Sequence, residues 1–147
     1  MKRCMAAIVL PAIAACSVLA TAPPSDPAFV RMEESREDLV TLGWLRRGPS
    51  GASAPLLAVI EGDGAAWDAG APPRDPTPRS GAGARLAARL ASRGSVLYLA
   101  RPGQYLAAHE AARCASRHWT DGRFADAPVA ALTALIDRAR APEQKVA

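Results

Sequence analysis

Apolar residues in this chain fall into short blocks divided by Gly, Pro and acidic turns. The block Leu39-Val40-Thr41-Leu42-Gly43-Trp44-Leu45 has β-branched and aromatic members and predicts a strand. Arg46 to Pro55, rich in Gly, Pro and Ser, predicts a turn. Leu56-Leu57-Ala58-Val59-Ile60 is a continuous apolar run between turn signals, the pattern of a strand buried on both faces. A long excursion from Glu61 to Gly81 follows, holding Gly62, Asp63, Gly64, Trp67 and the Pro-rich stretch Pro72 to Arg79. Loops this long inside a compact domain are usually functional or disordered. Ser80 is the expected N-cap of a helix over Gly83 to Arg93, with Leu86 and Leu90 on one face and Gly94 as its stop. Val96-Leu97-Tyr98-Leu99-Ala100 predicts a second buried strand, broken by Arg101-Pro102-Gly103. Leu106 to Cys114 predicts a short helix. Asp126 ahead of Pro128 marks another helix start, and Val129, Leu132, Leu135, Ile136 and Ala139 follow at helical spacing.

Strand, loop, helix, strand, helix is a βαβ unit plus one helix, so the expected class is α/β. The two buried strands should be parallel and the crossover right-handed. The chain has no internal repeat.

The N-terminus reads as an address. Met1-Lys2-Arg3 is a short basic start, and the apolar stretch Met5 to Ala15 is too short to span a bilayer. Ile13-Ala14-Ala15-Cys16 resembles a bacterial lipobox, which implies lipidation at the Cys16 thiol. Ser17, a non-aspartate after that cysteine, implies an outer-membrane lipoprotein facing the periplasm. The alternative is cleavage after Ala20-Thr21-Ala22, releasing a soluble periplasmic or secreted protein. The expected organisation is a signal peptide over 1–15, a lipid anchor and Pro-rich tether over 16–30, a domain over 31–141 and a polar tail over 142–147.

Composition adds little. Half the residues are apolar but only 5% are aromatic. The formal charge is +4, and loss of Lys2 and Arg3 with the signal leaves 16 cationic against 14 acidic side chains. Arg85, Arg89 and Arg93 share a helix face without interleaved aromatics, which is a solvated face and gives no sign of nucleic-acid binding. Cys114 is the one cysteine beyond the address, so no internal disulfide and no cysteine metal cluster is expected, and no cofactor is implied. It reads as a leftover thiol.

The segment Leu56 to Trp67 (LLAVIEGDGAAW), the segment Arg74 to Arg79 (RDPTPR) and Leu99-Ala100-Arg101-Pro102 with Gln104-Tyr105 together resemble a family of proteobacterial α/β-hydrolase-like proteins, often lipoproteins. Cys114, Trp119-Thr120-Asp121 and Arg123-Phe124-Ala125 continue the likeness, which covers Leu39 to Ala139. It implies a partial α/β-hydrolase fold and places Gly62-Asp63-Gly64 in the oxyanion loop after the Leu56 strand. There one backbone N–H serves the oxyanion hole, and a second comes from the residue after the nucleophile. Glycine suits such a loop because backbone must approach a developing oxyanion closely. Family members often carry cysteine where Gly103 stands, which would allow a bridge to the Cys114 position. The resemblance also implies that the nucleophile strand, elbow, acid and histidine lie beyond Ala139. A truncated hydrolase-like lipoprotein, non-catalytic alone, is therefore expected. Its full-length relatives resemble serine hydrolases of ester or acyl substrates. The alternative is a small envelope lipoprotein with a binding or structural role. Lacking the next strand, the Leu56 strand should be an open apolar edge, to be covered by a second chain or else prone to aggregate.

Nothing inside the chain replaces the missing set. Gly51-Ala52-Ser53-Ala54-Pro55 ends in proline and precedes a strand rather than following one. His109 and His118 flank Cys114, but one helical turn cannot also supply an oxyanion hole and an orienting acid, so they read as surface or partly packed histidines. Glu61 and Asp63 would face a common cavity only if the loop folds back. Ser80-Gly81-Ala82-Gly83 lacks a P-loop lysine and reads as a helix start.

Overall fold

The computed structural model describes residues 24–147. The expected signal peptide over 1–15 and the expected lipidation site Cys16 lie outside the described residues. The elements are β1 (Val30–Arg36), β2 (Leu39–Arg46), β3 (Leu57–Ile60), α1 (Ala82–Leu90), β4 (Val96–Leu99), α2 (Ala108–Ala111) and α3 (Asp126–Ala139). They form one four-stranded mixed sheet in the order β1-β2-β4-β3. The expected parallel pair is present: β3 runs parallel to β4, with Leu57 opposite Val96 and Ile60 opposite Leu99. β2 pairs antiparallel with β4.

β1 is an addition to the sequence-based expectation. It makes an antiparallel hairpin with β2, from Val30 opposite Leu45 to Arg36 opposite Leu39. The expected tether over 16–30 therefore ends inside the fold, with Phe29 buried just ahead of β1.

Strand alternation splits the core in two. Val40, Leu42 and Trp44 of β2, with Val96 and Tyr98 of β4, point to the face covered by α1. Leu97 and Leu99 point to the opposite face, where Leu56 meets Leu135 and Ala139 of α3. Leu97, Leu99 and Leu135 are fully buried, each contributing about 1.5–3 kcal/mol by leaving water.

α3 starts at Asp126, as the Asp126–Pro128 signature predicts, whereas α1 starts differently from expectation. α1 begins after Gly81, in left-handed conformation (φ 53°), and Ser80 makes no cap. A remote carboxylate serves this helix end, as described below. Its buried face is Ala84 and Ala87, continued by Ala91, while Leu86 is half exposed. Small residues let the helix lie close on the sheet; the leucines ride at its margin. Arg85, Arg89 and Arg93 are exposed as expected. α3 opens from an extended Ala125, with Asp126 in the first turn, where a negative charge opposes the helix dipole. Pro128 is tolerated there because that turn's N–H groups lack helical partners. The Leu106–Cys114 helix shrinks to the four residues of α2.

The end of the 142–147 tail docks on the β3 edge through one parallel bridge, Leu56 to Val146. Leu56 N–H donates to Lys145 O (2.9 Å), Ala58 N–H to Ala147 O (2.8 Å), and Ala147 N–H returns to Leu56 O (3.0 Å). Buried Gln144 secures the approach: its Nε2 donates to Ala54 O at 2.7 Å and its Oε1 accepts from Ala141 N–H at 3.1 Å. The outer edge of β3 is thus latched at its start. It stays open toward Ile60, which is half exposed.

Candidate functional site

β3 and β4 are adjacent and parallel, so the loops leaving their carboxyl ends rise side by side. In open α/β sheets ligands bind at that end. Glu61-Gly62-Asp63-Gly64 leaves β3, and Arg101 to Tyr105 leaves β4.

Glu61 organises the junction. Its side chain is buried, and its carboxylate accepts three hydrogen bonds. Gly62 N–H reaches Oε1 at 3.0 Å and Gly83 N–H reaches it at 3.2 Å. Tyr98 Oη donates to Oε2 at 2.7 Å. The Gly83 bond makes Glu61 the acceptor for the first turn of α1, in place of a local cap. A Cβ at position 83 would sit 2.9 Å from Oε2, so glycine makes room for the carboxylate.

The network continues through both tyrosines. Their hydroxyls lie 3.1 Å apart. Tyr98 spends its proton on Glu61, so Tyr105 is the donor of that second bond. Burial first, and then Tyr105 and Glu61, push the Tyr98 phenol far above its ordinary range. Burial also raises Tyr105. Tyr105 adopts a left-handed backbone (φ 60°), fixed by its N–H donating to Thr77 Oγ1 at 2.7 Å. Fully buried Gln104 joins the two loops: its Nε2 donates to Gly62 O at 2.9 Å, and its Oε1 accepts from Arg101 N–H at 3.0 Å.

The expected oxyanion-loop residues are together at this end but differ in state. Gly62 N–H is taken by Glu61. The N–H groups of Asp63 and Gly64 have no hydrogen-bond partner among the described residues. Gly64 has φ 64°, and a Cβ there would lie 2.3 Å from Pro76 O, so this glycine is required. Ala65 N–H donates to Pro76 O at 3.1 Å and closes the base of the excursion.

Glu61 and Asp63 do not form a carboxylate pair, because each has its own partners. Asp63 turns outward between Arg101 Nε (3.3 Å) and Arg123 Nε (3.4 Å). Both guanidiniums lie over the Phe124 ring, at 5.4 and 4.7 Å from its centroid.

The remaining candidates lie elsewhere. Gly51–Ser53 is a short 3-10 turn ahead of β3, and the Ser53 hydroxyl donates to Ser50 O. Cys114 is buried rather than left over: its Sγ accepts from Val40 N–H at 3.4 Å, and burial raises its thiol pKa. The Gly103 position expected to carry cysteine in relatives holds the Trp119 ring instead, 2.5 Å from where a Cβ would stand. His118 is buried and pairs with Asp38 at 3.0 Å, whereas His109 is exposed. A cavity of about 740 Å³ opens between Pro72–Asp75 and α2, lined by Leu106, Ala111, Cys114 and Trp119, and Glu61 to Gly64 do not line it. Among the described residues no cluster of His, Cys, Asp and Glu could hold a metal ion, and no helix is long and apolar enough to cross a membrane.

Glu61 was visible in the sequence as a loop acid. Thr77, Gln104 and Tyr105 stand out there only within the segments of the family resemblance, and Tyr98 only as a strand residue; their roles are not readable because their partners lie far away in sequence. The chain matches no protein-family model, no curated protein and no solved structure.

Proposed function

We propose that this chain is an exported, lipid-anchored protein carrying the front part of an α/β-hydrolase-like acyl-transfer site, without catalysis of its own. The carrying observation is the pair of N–H groups, Asp63 and Gly64, that have no partner among the described residues, on a glycine loop at the carboxyl end of a parallel strand. An oxyanion loop needs backbone donors with no protein acceptor, held at close approach. The Glu61 network and the required Gly64 supply that rigidity. In this reading the loop gives one donor to the oxyanion of an ester or similar acyl substrate. The serine, its base and the second donor come from a strand seated beyond β3, where Lys145–Ala147 now pairs. Lipidation at Cys16 would hold the protein at the outer membrane, facing the periplasm.

The test has two parts. The gene is sequenced from codon 120 through several hundred bases past codon 147, in all frames. The chain is also assayed on p-nitrophenyl butyrate, alone and co-expressed with any G-x-S-x-G segment found there. The expected result is no turnover alone and turnover with the segment. Turnover by the chain alone refutes the reading, as does the absence of any such segment.

One observation favours a second reading, a self-contained envelope lipoprotein with a binding or structural role. The tail latches the β3 edge with the chain's own residues. A monomeric, protease-resistant product with no hydrolase sequence downstream supports this reading.

A further inference from the structure

Arg101 and Arg123 present guanidinium groups whose capacity the fold leaves largely unused. Arg101 Nε–H is given to Glu61 O at 3.0 Å, and Arg123 Nη1 to Thr120 O at 3.1 Å. Neither arginine hydrogen-bonds Asp63, which is held between them by charge alone at 3.3 and 3.4 Å. Both Nη groups of Arg101 and Nη2 of Arg123 have no acceptor among the described residues. The Glu61 carboxylate is turned toward Tyr98 and Gly83 and makes no ion pair with either arginine. Two positive charges therefore meet one partly exposed carboxylate, beside two unpartnered backbone N–H groups. Phe124, 66% exposed, underlies both guanidiniums and orients them. Planar forks of this kind match the two oxygens of a carboxylate or phosphate.

We propose that Arg101, Arg123 and one of these two N–H groups, Asp63 or Gly64, bind a small oxyanion, the carboxylate or phosphate group of a ligand, leaving the other N–H for the acyl oxygen, and that Asp63 is its internal competitor. This deepens the reading above by giving the substrate an anionic group, and it rests on that loop being the ligand-facing one. The site needs no nucleophile, so its binding is measured separately from hydrolysis.

The test uses the full chain, isotope-labelled, with amide and arginine Nε–H resonances followed during titration. Inorganic phosphate and acetate are added in separate arms at constant ionic strength. Saturable shifts confined to Asp63, Gly64 and the two arginines are expected. Response to phosphate alone assigns a phosphate ester, and response to acetate alone or to both assigns a carboxylate or a general oxyanion site. Arg123→Gln should weaken binding roughly fivefold, the scale of one exposed charge pair. Asp63→Asn should tighten it by a similar factor, an effect that misfolding cannot mimic. Leu97 and Leu99 amides report that the fold is intact. The absence of saturable shifts with both anions overturns the proposal, as does binding that neither substitution changes.

Discussion

Removing residues 142–147 should leave folding stability almost unchanged and strongly increase self-association. Three main-chain hydrogen bonds to the β3 edge and four made by Gln144 are lost. At about 1 kcal/mol net for each, the loss is about 7 kcal/mol. Releasing six ordered residues returns a similar amount at about 1 kcal/mol per residue. The difference is therefore small, and unfolding midpoints in urea should shift little. Association should change strongly. Leu56 N–H and Ala58 N–H lose their acceptors on the outer edge, beside an already open Ile60. An uncovered apolar edge is a template for strand pairing between chains. Sedimentation velocity across a range of concentrations measures this directly. A deletion variant that stays monomeric while full-length protein behaves identically would refute the view that the tail guards the edge. Gln144→Ala, which leaves Ala54 O without its donor, should give a milder form of the same behaviour.

Four further outcomes follow from the site and its surroundings. Glu61→Ala should cost about 3 kcal/mol in urea unfolding, because Gly62 N–H, Gly83 N–H and Tyr98 Oη all lose their acceptor; Tyr98→Phe should cost about half as much. Gly64→Ala should lower stability by more than about 1 kcal/mol, since alanine meets both the left-handed penalty and the Pro76 carbonyl. His118 hydrogen-bonds Asp38, and Arg117 adds its charge, so the Asp38 pKa is depressed below 3.8; this stabilisation is complete above that value and is lost as pH falls through the lower folded pKa. Thermal melts of wild type and Asp38→Asn should therefore differ near neutral pH and converge in strong acid. The Cys114 thiol, buried and raised in pKa, should resist a thiol reagent until the protein is unfolded in urea.

What the sequence reveals here depends on whether the signal is carried by side chains near one another. The runs at Leu56 and Val96 are legible as strands because their side chains are apolar or aromatic. Only the Val96 run is buried throughout; β3 lies at the sheet edge and is mostly half-buried, not buried on both faces. α3 is legible because its apolar residues recur at helical spacing. β1 escapes because Val30–Arg36 is mostly polar and makes its sheet bonds with main chain. The buried face of α1 escapes for a different reason: it is alanine, which hydrophobic patterning underweights beside Leu86. The tail looks loose because Pro142 to Lys145 is polar, yet its hold on Leu56 is a backbone one. In the site, the loop glycines are readable as a motif. The capture of Gly62 N–H by Glu61 is not, since it depends on where Tyr98 and Gly83 place that carboxylate.

The closure of Ala65 N–H onto Pro76 O, beside the obligatory Gly64, has a consequence for how this scaffold tolerates change. Residues 66–75 hang from a sealed neck, so their length is decoupled from the register of the strands below. Doubling such a segment adds only about 0.6 kcal/mol of closure entropy. Insertions, deletions or a transplanted recognition loop can be accepted there while the sheet keeps its pairing. The neck is a natural cut-and-paste point, the place where an engineer should graft a new specificity first.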